Sequence, residues 1–217
     1  VVSLGGDEHF KYVSHVAEKP IISVVLDPSK SVGALLNYDV EGFTKFLNDI
    51  KNDRYEIEEW CRLEAKVRNT DEEFVPFIAT SDYFIGEEAR RDMSRSEVYI
   101  DGRKIGMPEK TSGILVVTGA GSTGWYDNEH YLVNRRSDVF LKTQSKAMVI
   151  GTGNRQTDKV CYELHDGQVL SIVSYNDTSG IVEPDSIREH NAPFRMGYVA
   201  EIMISDDTLK VVRGIEL

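Results

Sequence analysis

Gly5-Gly6-Asp7 follows a short apolar run at residues 1–4 and opens a stretch with apolar residues at 10, 13 and 16. Two glycines at the carboxyl end of a strand let backbone amides approach a polyphosphate with no Cβ in the way. A carboxylate at position 7 faces the same opening, where it can accept a proton or hold Mg²⁺. The same three residues also suit a tight turn with Asp7 as a helix N-cap, and both readings stand at this point. Glu8 and His9 follow directly. His9 adjoins the carboxylate, although a solvated histidine at a helix start is its plainer reading.

Three further constellations carry polar chemistry. Residues 26–33, Leu-Asp-Pro-Ser-Lys-Ser-Val-Gly, lie beyond a second apolar run and place Asp27 and Ser31 in a segment composed as a turn. Residues 118–125, Thr-Gly-Ala-Gly-Ser-Thr-Gly-Trp, bring Thr118, Gly121, Ser122 and Thr123 together beside the ring of Trp125. Small donors next to an aromatic suit hydrogen bonds to a sugar or phosphate and stacking on a base. The loop lacks the Gly-Lys-Ser/Thr ending of a Walker loop and the G-x-S-x-G spacing of a nucleophile elbow. Ser81 and Asp82 form a polar break in an apolar segment, which a surface turn also explains. The histidines at 9, 15, 130, 165 and 190 show no HxH or HExxH spacing, so no zinc site follows.

The elements around these residues read as two domains. Residues 21–26, Ile-Ile-Ser-Val-Val-Leu, form a run apolar but for Ser23, the pattern of a strand covered on both faces. Asp39 can cap a helix whose apolar face holds Phe43, Phe46, Leu47 and Ile50. Strand, helix, strand, helix implies a parallel sheet, a partial Rossmann-like α/β domain over residues 1–53. From residue 54 to 217 the rhythm is β-rich and mostly antiparallel. Cys61, Leu63, Ala65 and Val67 alternate with charged neighbours, and strands are expected at 74–79, 96–100, 113–118, 160–164, 170–174 and 198–204. Asp101-Gly102 and Asp166-Gly167 read as hairpin turns, and residues 87–93 and 127–131 as short turns at most.

Composition limits the partners. Among 217 residues, Lys plus Arg number 25 and Asp plus Glu 36, a net charge of −11. Such a surface repels phosphate backbones and anionic lipid, so neither nucleic acid nor a membrane is an expected partner. Cys61 and Cys161 stand in no CxxC pattern and suit a reducing compartment.

In order and spacing these motifs resemble the NAD kinase family, nearer its mitochondrial-type branch. The family's GGDG(T), N/TDP…S-x-G-x-L, Asn-Glu and T-x-T-G-S/T-T-A-Y motifs are matched here by Gly5 to His9, by Leu26-Asp27-Pro28 through Ser31, Gly33 and Leu35, by Ser81-Asp82, and by Thr118 to Trp125. The segment from Leu170 through Ile181 to Asp185-Ser186, then Phe194 to Gly197, is similar to the family's later strand–loop–strand region. The resemblance implies ATP- and Mg²⁺-dependent phosphorylation of the 2′-hydroxyl of the adenosine ribose of NAD, giving NADP. It implies Asp7 as the proton acceptor, Gly5 and Gly6 at the phosphates, the loop from Thr118 at the adenosine end, and Ser81-Asp82 at base or ribose. It further implies a homodimer or homotetramer, located in the cytoplasm or the mitochondrial matrix, and a strand–helix region preceding Gly5-Gly6-Asp7. Glu8 stands where the family has glycine, His9 where it has Thr or Ser, Gly119 where Pro is common and Trp125 where Tyr is common. A carboxylate at 8 is expected to oppose ATP phosphates, because the acidic total offers no cation excess. Two alternatives follow: a weakly active or inactive relative that senses a dinucleotide, and a lipid kinase of the GGDG superfamily.

Overall fold

A computed structural model describes residues 1–30, 33–89, 92–131, 139–153, 161–177 and 179–215. The chain divides into two compact units, residues 1–60 with 207–217, and residues 61–206.

The first unit starts with β1 (Val2–Leu4), α1 (Asp7–Val16), β2 (Ile22–Val25), β3 (Tyr38–Asp39), α2 (Val40–Lys51) and β4 (Tyr55–Trp60). β1, β2 and β3 form a parallel sheet in that order, with Val2 opposite Ile22 and Val24 opposite Tyr38. Parallel neighbours need a crossover, and α1 supplies it between β1 and β2. The Asp39 carboxylate accepts from the Gly42 amide at 2.7 Å and caps α2, as its sequence position predicts. Phe46 is buried on that helix, whereas Leu47 is 42% exposed and lies off the apolar face expected for it. The apolar run at 21–26 is only partly enclosed: Val24 is buried, yet Leu26 is 57% exposed.

The second unit comprises β5 (Leu63–Arg68), β6 (Glu73–Phe74), β7 (Asp82–Glu87), β8 (Ser94–Ile100), β9 (Arg103–Lys104), β10 (Lys110–Thr111), β11 (Gly113–Val117), α3 (Trp125–Tyr131), β12 (Lys146–Thr152), β13 (Cys161–His165), β14 (Leu170–Ser174), β15 (Gly180–Pro184), β16 (Ala192–Pro193) and β17 (Val199–Ile204). These strands make two antiparallel sheets, one ordered β10-β8-β14-β17-β5-β6 with β9 on β8, the other β13-β12-β11-β7-β15-β16. One core fills the space between them, with Leu63, Val67, Ile172 and Ile202 from the first sheet meeting Tyr83, Ile114, Val149 and Val182 from the second. The arrangement is a β-sandwich. A smaller cluster, Leu115, Val117, Tyr126, Met148 and Ile150, covers the other face of the second sheet. Two covered faces explain why β11 is apolar without a break, while half-covered β5 alternates.

Several local expectations change. The strand expected at 74–79 stops at Phe74, because Pro76 has no amide to give a ladder; Ala79 rejoins as a single bridge to Leu63. Asp101 and Gly102, at φ 49° and 73°, do close the β8–β9 hairpin. Asp166-Gly167 closes none: β13 pairs with β12 and β14 with β8 and β17, so this turn carries the chain between sheets. Residues 125–131 form a helix rather than a turn. Residues 82–87, in part read as a turn, are a fully buried strand.

The boundary expected at 53/54 also differs from the division the structure makes. The last strand, β18 (Leu209–Gly214), pairs with β4 with Leu209 opposite Trp60 and bridges Val211 to Ile21. The tail therefore belongs with the first unit, and composition along the chain carries no sign of such a return.

Candidate functional site

In the first unit, the Gly5 amide donates to the Val24 carbonyl at 3.0 Å, tying the turn to the end of β2. Gly6 is the N-cap of α1, with no side chain to cap it, and Asp7 is the first helical residue. Asp7 therefore does not cap its own helix. Its Oδ2 accepts from the Ala34 amide at 3.1 Å and its Oδ1 from the Leu35 amide at 3.0 Å. The segment after Asp27 thus folds back onto the glycine turn, joining two constellations that the sequence keeps apart. Gly33 makes the return possible with a left-handed φ of 66°, where a side chain would be strained.

Glu8 and His9 are exposed at the start of α1. Glu8 Oε1 lies 2.8 Å from Lys11 Nζ, with the Glu8 side chain 79% exposed and that of Lys11 only 10%. The cation absent from the overall charge balance is therefore present locally, one helical turn away, and the expected repulsion of phosphate by Glu8 has a built-in counter-ion. Lys11 was not among the residues singled out in the sequence; its i,i+3 spacing from Glu8 is the signal that could have found it. Asp27 accepts from the Ser29 amide at 3.1 Å and from the Ser29 hydroxyl at 2.5 Å, and meets Lys30 Nζ at 3.0 Å. The Ser29 bond first, then Lys30, holds its carboxyl below the ordinary value. This is a self-contained turn. Ser31 lies outside the described residues.

In the second unit, Ser81 and Asp82 are buried at the entry to β7, not exposed in a surface turn. Thr118 lies alongside: its amide donates to the Ser81 carbonyl at 2.9 Å, and its hydroxyl donates to the Thr80 carbonyl at 2.7 Å. Gly121 packs on the same segment, since a Cβ there would lie 2.4 Å from the Ser81 oxygen. Its missing side chain makes room for protein backbone. Ser122 is buried and its hydroxyl donates to the Gly119 carbonyl at 2.8 Å, while Thr123 is exposed. Trp125 stacks on Phe84 with centroids 5.2 Å apart, and its Nε1 donates to Glu129 at 3.1 Å. One face of the ring expected to stack on a base is thus occupied by protein.

Asp185 completes this cluster and is the residue to which sequence reasoning gave no role. Fully buried, it accepts from the amides of Thr80 at 2.8 Å, Ser81 at 2.6 Å and Asp82 at 3.1 Å. Its signals in the sequence are a Pro-Asp-Ser turn after an apolar run and its place in the family-like segment that runs from Leu170 to Ser186.

Among the described residues no group of three or more His, Cys, Asp or Glu could hold a metal ion. Nor is any described helix long and apolar enough to cross a membrane.

No family model matches the chain. An NAD kinase of Thermomicrobium roseum is 27% identical over 126 residues, which span 58% of this chain and 42% of that relative. Among solved structures, yeast NADH kinase complexed with NADH superposes with a TM-score of 0.81 at 17% identity, over 99% of this chain and 61% of its own. An NAD kinase from Archaeoglobus fulgidus in complex with ATP gives 0.77 at 17% identity, over 98% of this chain and 77% of its own. The fold is that of these kinases, an α/β unit and a β-sandwich, and the motif resemblance is supported by a relative of the same name. The chain spans less than two thirds of the length of the bacterial relative and of the yeast protein.

Proposed function

We propose that this chain, a relative of the NAD kinases in fold and sequence, transfers the terminal phosphoryl group of ATP to the 2′-hydroxyl of the adenosine ribose of NAD. The observation that carries the reading is the seating of Asp7. Its carboxylate sits at the junction of a parallel strand and a helix, and each oxygen accepts one backbone amide. An ionised carboxylate has lone pairs beyond those two bonds. It can therefore accept a hydroxyl proton without breaking either. Phosphoryl transfer demands positioning and charge stabilisation more than covalent chemistry, and a backbone-fixed carboxylate meets that demand.

Mg²⁺ enters this reading as the counter-ion that accompanies ATP. Mg²⁺ characteristically keeps several waters and binds through substrate phosphates with one or two carboxylates. Lys11, paired with Glu8, offsets the charge of that carboxylate at the start of α1. The buried segment Ser81-Asp82 and the loop from Thr118 are assigned to the dinucleotide. The active form is a homodimer or homotetramer, in the cytoplasm or the mitochondrial matrix.

A coupled assay of NADP formation from NAD and ATP, run beside direct dinucleotide binding, tests the reading. Turnover supports it. Binding with no turnover selects the dinucleotide sensor, the reading that Glu8 in place of glycine favours. Absence of both overturns the assignment.

A further inference from the structure

We infer that Asp185 is a positioning residue that sets the Ser81-Asp82 segment for the dinucleotide, an inference that rests on the function proposed above. β15 ends at Pro184, opposite Tyr83 of β7, and the next two residues are left-handed, Asp185 at φ 54° and Ser186 at φ 60°. Aspartate tolerates that conformation better than most residues. The turn points the Asp185 carboxylate at the start of β7, where Oδ1 takes the amides of Ser81 and Asp82 and Oδ2 takes that of Thr80. In return, the Asp185 amide donates to the Asp82 carbonyl at 2.8 Å.

From the other side, Thr118 takes the remaining carbonyls. Its hydroxyl lies 2.7 Å from the Thr80 oxygen and 3.1 Å from that of Ser81. Residues 80–82 are thus bonded through their amides to Asp185 and through their carbonyls to Thr118 or Asp185. With its amides and carbonyls engaged, the segment is held in one conformation, and through it the positions of the Ser81 and Asp82 side chains are set. Amide bonds to a carboxylate are stronger than neutral ones, so Asp185 is the dominant half of the clamp. Thr118, assigned to the ligand on sequence grounds, spends its hydroxyl inside the protein.

The test compares the parent with Asp185→Asn. Asparagine keeps the size and the tolerance of left-handed backbone, but its NH₂ must face an amide donor. Binding is read by titrating NADH fluorescence, and KM is measured separately for NAD and for ATP. Ser174→Ala serves as a control, because Ser174 is also fully buried and donates to the Phe194 carbonyl at 3.0 Å. Asp185→Asn is expected to raise the KM for NAD and the Kd for NADH by about tenfold or more, with the KM for ATP within about twofold of the parent. The control is expected to lower the melting temperature and leave all three constants in place.

Equal changes in both KM values, or changes no larger than those of the control, overturn the inference and leave the function standing. A parent that neither binds a dinucleotide nor forms NADP overturns the function and the inference together. Should Asp185→Asn fail to fold, Asp185→Glu keeps the charge and shifts its reach, and the same split is expected of it. Failure of both to fold marks Asp185 as structural and overturns the inference.

Discussion

Asp7 shows how a residue's role depends on what its carboxylate touches. Replacing it by Asn removes the proton acceptor but retains one oxygen for Ala34 or Leu35. Turnover of Asp7→Asn is expected to fall about 10²–10⁴-fold, with NADH affinity nearly kept. A rate within about threefold of the parent would mean that Asp7 is not the acceptor. Glu97, in the second unit, provides a stability test. It accepts from Lys104 at 2.7 Å, Tyr99 at 2.8 Å and Tyr175 at 3.1 Å, and these bonds, Lys104 first, hold it below its ordinary 4.5. A carboxyl whose pKa is lower folded than unfolded stabilises fully above the ordinary value and loses that contribution as pH falls through the folded value. The urea midpoint should therefore drop below about pH 4.5, and Glu97→Gln should flatten that dependence. An unchanged pH profile in the variant would show that this carboxyl contributes nothing.

The loop between β11 and α3 is legible in composition, but its glycines at 119 and 121 serve the protein's own packing. Three glycines at 119, 121 and 124 suggest a cradle for a ligand. In the structure, a Cβ on Gly121 would meet the Ser81 oxygen at 2.4 Å and Val117 Cγ1 at 2.8 Å, and one on Gly119 would meet the Leu141 oxygen at 2.2 Å. Both glycines admit other backbone, and Gly121 fixes Ser81 through it. Gly121→Ala is accordingly expected to cost about 1–3 kcal/mol in urea unfolding, as overpacked sites do. NADH affinity should weaken with it, because the displaced atom belongs to Ser81. Unaltered stability together with weakened binding would restore the view that Gly121 makes room for the ligand.

At the scale of the whole molecule, the chain leaves its first unit after Trp60, builds the sandwich, and returns through β18. Ile21 is held by that return, donating to the Lys210 carbonyl and accepting from Val212, each at 2.9 Å. A chain ending at residue 206 should lose amide protection across residues 1–60 in hydrogen exchange, while the sandwich keeps its own. Persistent protection in the first unit would show that β18 is dispensable. The sequence alone determined the features set by local periodicity and local sterics. Among them are the parallel α/β start, the cap at Asp39, the alternation of Leu63, Ala65 and Val67, the Asp101-Gly102 hairpin, and the order of motifs that pointed to a kinase. Each depends on residues a few positions apart, whose side chains and dihedrals constrain one another directly. Only the tertiary structure decided that Asp7 is held by Ala34 and Leu35, that Asp185 takes the amides of residues 80–82, and that β18 belongs with β4. Those pairings join residues 27 and 28, about 100 and about 150 positions apart. They are chosen by which buried polar groups find partners once the sheets have formed, and no local pattern encodes that choice.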